Sequence, residues 1–499
     1  MNLSKISEFQ FPEAVRTPSR FRNPIGKYRL NRTNECISCG KCIEICPFGV
    51  HVARRGKVFI ENSHLCTGES CPEPCYEACP KNALSVRRNP LFDVLGDYRW
   101  TADLLTSTWY MAETGNTPPA GLEYRVGNSG GGFDKLRLVM PAKNQQKNDQ
   151  SDSIDLGIDL NRRDDNAHRI RIEVPFYGGG MSYGSVSIRT ILSRIKAALA
   201  LGTFCSTGEG GYPDELKPYD DHVITQVATG LFGVKEETVK RVKIVEFKYA
   251  QGAKPGLGGH LLGDKVTPGV AKMREAVPGY PLFSPFPFHS VYSVEDHRKH
   301  VDWIKAMNPK AIVSVKVSTP TDVDMVAIGS YYAGAHIIHL DGSYGGTGAA
   351  PEIAKKNIAM PIEYAVPKVH NFLQQEGVRD DMTVIAGGGV RTPHDIAKII
   401  ALGADGVCTG TADLVALECV RCHNCESGRG CARGIATTDP ELMELMEIEW
   451  GTQRLINLFL AWKNELARIL GRLGMKSIRE LVGRTDCLVH LDYLKKEQK

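Results

Sequence analysis

From residue 166 onwards, short apolar runs alternate with stretches in which apolar residues recur every three or four positions. The runs have the length and composition of buried β-strands, and stretches such as 187–201 and 294–307 have the period of amphipathic helices. Eight candidate strands lie at 171–177, 203–207, 242–250, 281–284, 311–317, 336–340, 383–387 and 406–410. This alternation predicts an α/β fold, a (β/α)8 barrel of the TIM type over 166–440. The alternative, a doubly wound sheet, lacks an early Gly-x-Gly-x-x-Gly turn with a downstream acid.

The rest of the chain divides around this barrel. Residues 1–30 show little periodicity and are predicted to form an arm, and residues 31–90 are predicted to be a small α+β domain. In that domain HVARRGKVFI (51–60) predicts a hairpin that turns at Arg55-Gly56. Residues 91–165 are predicted to be a polar connector. Residues 441–499 carry an apolar stripe at helical spacing, which predicts a helical tail with a packing face.

Composition narrows the class of protein. The 499 residues carry a formal net charge of +4 with scattered basic residues, so neither a nucleic acid nor a charged membrane surface is expected as a partner. The sequence has no run of eighteen apolar residues that would predict a membrane span. It opens MNLSKISEFQF, without the apolar segment of a signal peptide, so its fifteen cysteines indicate a reducing, cytoplasmic setting.

Twelve of the cysteines fall into three groups, of which the first is the most specific. Its members are separated by two, two and three residues, and Pro47 follows the last: Cys36, Cys39, Cys42 and Cys46. In this spacing three thiolates converge on one cluster and the fourth ligates a neighbouring cluster. A second quartet follows, so we expect the two groups to exchange one ligand. One 4Fe-4S cluster would be held by Cys36, Cys39, Cys42 and Cys79, and the other by Cys46, Cys66, Cys71 and Cys75.

Zinc and disulfides are the alternatives for these cysteines. Zinc sites rarely show three-residue repeats that end in Cys-Pro, and disulfides would need an exported chain. A third group follows the last predicted strand, and its spacing allows either a 3Fe-4S or a 4Fe-4S cluster: Cys419, Cys422, Cys425 and Cys431. The remaining cysteines are predicted to be small core residues: Cys205, Cys408 and Cys487.

Two glycine-rich turns follow the last two predicted strands, where TIM-type barrels usually bind phosphate. The first turn contains Gly387, Gly388 and Gly389, and the second contains Gly410 and Thr411. Glycines let backbone amides approach a phosphate closely, and a helix is predicted to begin at Thr392-Pro393 just after the first turn. Because iron–sulfur clusters supply single electrons that a flavin can pair, flavin mononucleotide (FMN) is the predicted occupant.

Further strand ends carry motifs that resemble a known family. AQGAKPG (250–256), YGGTGAAPEIA (344–354) and the closing cysteine group with GIATTD (434–439) are similar to the flavin barrel of the large subunit of glutamate synthase. The resemblance covers roughly residues 170–440, and the attached two-cluster, ferredoxin-like domain resembles the short archaeal-type form. It implies an oxidoreductase that reduces 2-iminoglutarate, formed from 2-oxoglutarate and ammonia, to glutamate with hydride from reduced FMN.

The resemblance also implies roles for individual residues. Those expected around the isoalloxazine ring are Gly180, Met181, Ser182 and Lys316. Those expected to bind 2-oxoglutarate are Gln251, Lys254 and Arg274, and either Glu209 or Lys254 would assist proton transfer. The chemistry agrees, because a dicarboxylate needs fixed cations, and an arginine fork suits one carboxylate while a lysine binds the other.

Departures from the family keep the substrate open. Polar or charged family residues are replaced at Phe286, Phe288, Ser290, Ser343, Tyr344, His260 and Leu231. A pocket that exchanges polar groups for Phe and Tyr would suit another oxo acid or amine. One alternative is therefore related imine chemistry, such as N-methylglutamate synthesis, and another is an electron-transfer or assembly subunit of a larger complex.

The resemblance also implies partners. The sequence shows no glutaminase domain before the cysteine groups, so ammonia would come from solution or from a separate glutaminase. We further expect an electron-donor subunit, either an FAD- and NAD(P)H-binding protein or a ferredoxin, and an oligomer.

Overall fold

The computed structural model describes residues 9–21, 25–119, 132–141, 154–348, 350, 353–355 and 357–493. Two parts of the predicted connector, 120–131 and 142–153, lie outside the described residues. So do residues 349, 351 and 352 of the motif YGGTGAAPEIA (344–354), and residue 356 just after it. The division of the chain at 30, 90, 165 and 440 remains a prediction.

Eight parallel strands close into a barrel. They are β1 (Phe176–Gly178), β2 (Cys205–Ser206), β3 (Val223–Ala228), β4 (Ile244–Lys248), β5 (Ile312–Ser318), β6 (Ile337–Asp341), β7 (Thr383–Gly387) and β8 (Gly406–Thr409). Each strand pairs with its neighbour in the chain, and β8 closes the ring on β1 with Thr409 opposite Gly178. The predicted α/β barrel of the TIM type is confirmed.

Seven of the eight candidate strands overlap barrel strands, and one is wrong. Leu282–Phe283 pairs with His260–Leu261 in a two-stranded antiparallel sheet outside the barrel, so 281–284 is not a barrel strand. The missed strand is β3, whose apolar pattern is interrupted by Thr225 and Gln226. Both are buried, with 7% and 5% exposure; Gln226 points into the barrel, where it donates to Glu246, and its neighbour Thr225 points to the other face of the strand.

Helices separate most of the barrel strands and cover the barrel's outside. Their bounds are Ile188–Ala200, Glu236–Arg241, Pro268–Arg274, Val294–Met307, Val323–Tyr332, Ile362–Gln375, Pro393–Ala401 and Thr411–Ala416, and a 3-10 helix spans Asp214–His222. The helices predicted at 187–201 and 294–307 are confirmed to within one residue at each end.

The tail is largely helical, as predicted. Pro440–Met443 and the long helix Ile448–Leu473 precede two 3-10 turns, Ile478–Leu481 and Thr485–Cys487. Trp462 of the long helix is fully buried, and its ring centroid lies 6.0 Å from that of Phe176 in β1. A short strand, Leu488–His490, follows these turns and pairs with Leu136–Leu138.

Two segments before the barrel are built into its core. The helix Ala102–Thr114 buries Leu104, Leu105 and Trp109 within the main apolar cluster. Further upstream, Val15 N donates to Asn457 Oδ1 at 3.1 Å, and Asn457 Nδ2 donates to Val15 O at 2.7 Å. Described parts of the predicted arm and connector therefore contribute to the barrel's packing.

The N-terminal cysteine unit, residues 25–93, is built from short elements. Its strands are Tyr28–Arg32 with Leu84–Arg88, and His51–Arg54 with Lys57–Ile60, and its short helices are Lys41–Glu44, Pro90–Asp93 and the 3-10 turns Ser63–Leu65 and Gly68–Ser70. The predicted hairpin is confirmed, with Arg55 and Gly56 both in the left-handed region. In the part of the chain that the structure describes, no helix is long and apolar enough to span a membrane.

Candidate active site and cysteine groups

One cavity lies at the carboxyl ends of the barrel strands, and most of the predicted site residues meet there. Its walls include Gly180, Met181, Ser182, Glu209, Gln251, Lys254, Lys316, Gly387, Gly388, Gly389, Gly410 and Thr411. These residues come from the carboxyl ends of six different strands and from the loops that follow them, which is how TIM-type barrels assemble an active site. The structure thus brings the predicted flavin residues into a single cavity, while their roles remain predictions.

Glycine is required in the turn after β7. Gly388 and Gly389 have φ values of 96° and 94°, and a Cβ atom at Gly388 would lie 2.7 Å from the carbonyl oxygen of Gly342. The helix that follows begins as predicted at Thr392, whose Oγ1 accepts from Asp395 N at 3.1 Å. A bare turn beside a helix N-terminus has the form of a phosphate cradle.

The polar wall of the cavity includes Lys254, Lys248 and Glu209. Lys254 is only 5% exposed, and its burial, helped by the charge of Lys248, lowers its pKa to about 8. Lys248 Nζ lies 3.0 Å from Glu209 Oε2. Burial alone would raise the pKa of Glu209, but Lys248 and the other nearby cations hold it below its ordinary value. Glu209 is therefore a carboxylate at neutral pH, and Lys254 exchanges its proton in the physiological range.

Lys248 is a functional candidate that the sequence analysis missed. It is the last residue of β4 and lines the cavity. The sequence could have indicated Lys248, because a lysine at the carboxyl end of a predicted barrel strand lies on the active-site side of the barrel.

Arg274 lies beside the cavity and is not part of its described wall. It is the last residue of the helix Pro268–Arg274 and is only 3% exposed. Its Nη2 donates to Ser182 Oγ and to Tyr183 O, both at 3.0 Å. The arginine therefore orients the loop after β1, and one edge of its fork is already occupied.

A second set of charged groups lies under the cavity, inside the barrel. Lys316 Nζ lies 3.4 Å from Asp341 Oδ2. Below them Glu246 accepts from Gln226 at 2.7 Å and lies 3.0 Å from His339 Nδ1. Burial alone would raise the pKa of Glu246, but the charge of His339 and the hydrogen bonds bring it to about 2. The sequence analysis missed this network, whose signal is a polar residue inside an otherwise apolar strand.

The departures from the family have different positions. Phe286 is half exposed, whereas Phe288 is buried with its ring centroid 4.9 Å from that of Tyr249, and neither lines the described cavity. The prediction that both reshape the pocket is wrong, because they lie in the outer layer beyond β4. Tyr344 and His260 do line the cavity, and the Arg99 guanidinium lies 3.4 Å from the centre of the Tyr344 ring.

The third cysteine group borders the same cavity. Cys419 and Cys425 form part of its wall. Burial raises the pKa of Cys419 to about 11, and the charges of Cys425 and Cys431 add to that shift, so these three thiols lie near one another. Cys422 is exposed. Asp97 ties the loop down, since Arg421 Nη2 lies 2.9 Å and His423 Nε2 3.2 Å from its Oδ2.

The cysteines of the two N-terminal quartets lie close together, and their division between two clusters stays a prediction. One small cavity is surrounded by Cys36, Cys39, Cys42 and Cys79. Burial raises the pKa of the Cys75 thiol to about 12, and the charges of Cys66, Cys46, Cys42 and Cys71 contribute. A thiol with such a pKa is inert unless a metal removes its proton, so these donor sets suit iron–sulfur clusters. The remaining cysteines, Cys205, Cys408 and Cys487, are buried as predicted.

Comparison with known families decides the classification. The family described as a conserved region in glutamate synthase matches residues 131–476, and a 4Fe-4S binding domain matches residues 32–50. The chain belongs to the glutamate synthase family. The family resemblance inferred from the cysteine and glycine motifs is thereby confirmed.

Glutamate synthase relatives match nearly the whole chain. An archaeal-type glutamate synthase (NADPH) of Thermotoga maritima is 37% identical over 91% of this chain and 92% of its own. An archaeal glutamate synthase (NADPH) of Methanocaldococcus jannaschii is 36% identical over 93% of this chain and 94% of its own length. The glutamate synthase (NADPH) large chain of Azospirillum brasilense is 36% identical over 63% of this chain but only 21% of its own length.

Solved structures resemble the chain more distantly. A lactate oxidase from Pediococcus acidilactici aligns with a TM-score of 0.45 and 12% identity, covering 80% of this chain and 89% of its own. A similarity at this level supports no statement about ligands.

Proposed function

We propose that the chain is an FMN- and iron–sulfur-dependent glutamate synthase, which reduces 2-iminoglutarate to glutamate. One observation carries the proposal: Cys419 and Cys425 line the same cavity as Lys254 and the two glycine turns. A cluster ligated there would deliver electrons directly to a cofactor bound on those turns. The names of the relatives, which match this chain over nine-tenths of its length, support the same activity.

The proposed cofactors are one FMN, two 4Fe-4S clusters and a third cluster at the barrel. Cys419, Cys425 and Cys431 would hold that third cluster, and Cys422 is the extra thiol that decides between three and four irons. A separate cavity lies between Leu65, next to Cys66, and Glu418, next to Cys419. This arrangement supports an electron path from the exposed Cys39 side, through the cluster of Cys66, to the third cluster.

In this proposal FMN, when bound, supplies the hydride, and the chain supplies binding and proton control. The Lys254 ammonium pairs with a substrate carboxylate in a cavity wall that is almost closed to water, where such a pair is strong. Lys248 keeps Glu209 ionised, so that Glu209 can accept a proton as ammonia adds to the oxo acid. Arg274 holds the Ser182 loop in place beside the ring.

The proposed partners are an electron donor and a source of ammonia. The relatives' names contain NADPH, which supports a donor that draws its electrons from NADPH, either a flavoprotein subunit that oxidises NADPH or a ferredoxin that such a flavoprotein reduces. Ammonia would come from solution or from a separate glutaminase.

An anaerobic assay tests the proposal and its alternative together. The purified protein with dithionite as reductant would be given 2-oxoglutarate, pyruvate or oxaloacetate, each with ammonium or methylamine. We expect glutamate as the only amino acid product, formed only where 2-oxoglutarate is combined with ammonium. N-methylglutamate from methylamine would assign the alternative imine chemistry, and absence of any amino acid product would leave only an electron-transfer role.

A further inference from the structure

An arginine and a histidine connect the two N-terminal cysteine quartets. Arg32 Nη1 donates to Cys36 Sγ at 3.2 Å. Its Nη2 lies 3.8 Å from Cys42 Sγ and 3.1 Å from His51 Nδ1. His51 Nε2 lies 3.3 Å from Cys75 Sγ. Since Cys36 and Cys42 belong to one quartet and Cys75 to the other, an unbroken chain of polar contacts joins the two.

The direction of these hydrogen bonds follows from the chemistry of the two side chains. A guanidinium has only N–H donors, so His51 Nδ1 must accept from Arg32. A neutral imidazole that accepts at Nδ1 carries its proton on Nε2, which therefore donates to Cys75 Sγ. Arg32 thus donates N–H groups to the sulfurs of Cys36 and Cys42. His51, which accepts from Arg32, donates its own N–H to the sulfur of Cys75.

The pair occupies a costly position. His51 is only 2% exposed, in a unit whose other buried side chains are mostly apolar. A buried imidazole lowers stability unless its polar atoms are paired, and both nitrogens of His51 are paired here only with Arg32 and a cysteine sulfur. An apolar side chain would fill the same space without the free-energy cost of burying polar atoms, so the presence of His51 indicates a role connected with the sulfurs.

We propose that Arg32 and His51 form a shared donor bridge that raises the reduction potentials of both N-terminal clusters and links the two. The proposal rests on the two-cluster assignment made above. A cluster gains negative charge when it is reduced, so its sulfurs become better acceptors, and N–H donors favour the reduced state. Arg32 acts directly on the cluster of Cys36 and Cys42, and through His51 on the cluster of Cys75.

Redox titration of the whole protein, followed by electron paramagnetic resonance, tests the bridge. The signal lost in Cys39→Ser identifies the cluster of Cys36 and Cys42, and the other signal then belongs to the cluster of Cys75. In Arg32→Gln we expect both potentials to fall, with the larger change in the first cluster. Its ratio of reduced to oxidised form at a fixed potential should fall about tenfold, which is 59 mV for a one-electron couple. In His51→Leu only the second cluster should shift.

Matched variants separate hydrogen bonding from charge and from folding. Arg29 lies on the same strand as Arg32 but points to the opposite, exposed face, so Arg29→Gln removes an equal charge without touching a sulfur. It should leave both potentials unchanged. His51→Gln keeps one acceptor and one donor at similar reach and should restore most of the shift seen in His51→Leu. Iron content measured in each variant excludes loss of a cluster.

The outcomes distinguish the bridge from the assignment on which it rests. Two clusters in the wild type whose potentials are unmoved by Arg32→Gln and His51→Leu would overturn the bridge alone. Equal shifts in Arg29→Gln and Arg32→Gln would overturn it as well, because charge would then suffice. A wild-type protein with only one four-iron cluster in this unit would overturn the two-cluster assignment and the bridge together.

Discussion

The N-terminal cysteine unit and the barrel hold their functional groups by different means. In the unit, residues 25–93, the buried apolar side chains are few: Tyr28, Val50, Val58, Ala83, Leu84 and Phe92. The barrel instead has one continuous core, which extends into the tail helix and includes Phe176 and Trp462. A small core cannot offset the loss of chain entropy, so the unit depends on its metal ligands, whereas the barrel is stable by packing.

The difference extends to charge. The barrel holds Lys254 and Glu246 almost fully buried, each with a displaced pKa: burial and the charge of Lys248 lower that of Lys254, whereas at Glu246 the charge of His339 and the hydrogen bonds outweigh burial. The unit leaves Cys39 exposed and gathers its thiols on short turns. The comparison indicates that the barrel supplies a preformed chemical site, and that the unit acquires its own form when iron binds.

Removal of the iron should have the largest effect. After oxidative destruction of the clusters with ferricyanide and a chelator, residues 25–93 and the loop 419–431 should become open to protease, with cleavage faster on the order of a hundredfold. The rest of the barrel should keep its protection. Limited proteolysis with mass spectrometry measures both regions in one sample, and equal protection before and after treatment would contradict the comparison.

Lys254→Ala should break the barrel site while leaving the unit intact. A carboxylate bound in this buried wall without its cation loses several kcal/mol, so kcat/KM for 2-oxoglutarate should fall on the order of a thousandfold. Iron and flavin content should be unchanged. The matched control is Lys272→Ala, an exposed lysine nearby, which should keep wild-type kinetics. An active Lys254→Ala enzyme would remove this lysine from the substrate site.

Affinity for 2-oxoglutarate should depend on pH through the same lysine. Burial lowers the pKa of Lys254 to about 8, so its charged form, which binds a carboxylate, is lost as pH rises through that value. The dissociation constant, measured without ammonium, should rise by up to about tenfold per pH unit above pH 8. The sign for folding is opposite, because a buried lysine with a lowered pKa favours the fold more as pH rises. A dissociation constant that is flat from pH 7 to 10 would contradict this assignment.

Arg274→Lys should have the smallest effect of the four. Lysine keeps the charge, but its side chain is one bond shorter and cannot bring a nitrogen to the position from which Arg274 Nη2 donates to Ser182 and Tyr183, so the loop after β1 should loosen. We expect kcat/KM to fall about tenfold, together with weaker flavin retention. Arg298→Lys, at an exposed position, is the control. A change in KM alone, with flavin binding intact, would favour direct substrate contact over loop positioning.

Much of this architecture was predictable from local patterns. Thr383–Gly387 is an apolar run of strand length that ends in the glycine turn, and the structure has the strand at the predicted residues. The cysteine quartets were equally clear, because their spacing alone requires convergent thiols. The strand β3 was not predicted, because the polar Thr225 and Gln226 interrupt its apolar pattern, and only the fold shows that Gln226 faces the barrel interior.

The charges around the site were harder to predict, because they depend on contacts between distant segments. Glu209 meets Lys248 across 39 residues, and His339 meets Glu246 across 93. Phe286 and Phe288 were expected in the cavity because they replace polar residues of the family. A replacement in the sequence does not reveal whether the side chain faces the cavity. Only the fold places Phe288 against Tyr249 in the outer layer.

Reoxidation of reduced flavin tests the central claim most directly. The anaerobic wild-type protein would be reduced with one equivalent of dithionite per electron accepted and mixed in a stopped flow with 2-oxoglutarate and ammonium. The proposal predicts that the flavin absorbance returns as the stored electrons are consumed, with one glutamate formed per two electrons, and that Lys254→Ala shows no return. Flavin that stays reduced in the wild type, with clusters and flavin at full content, would contradict the assignment of this cavity to glutamate synthesis.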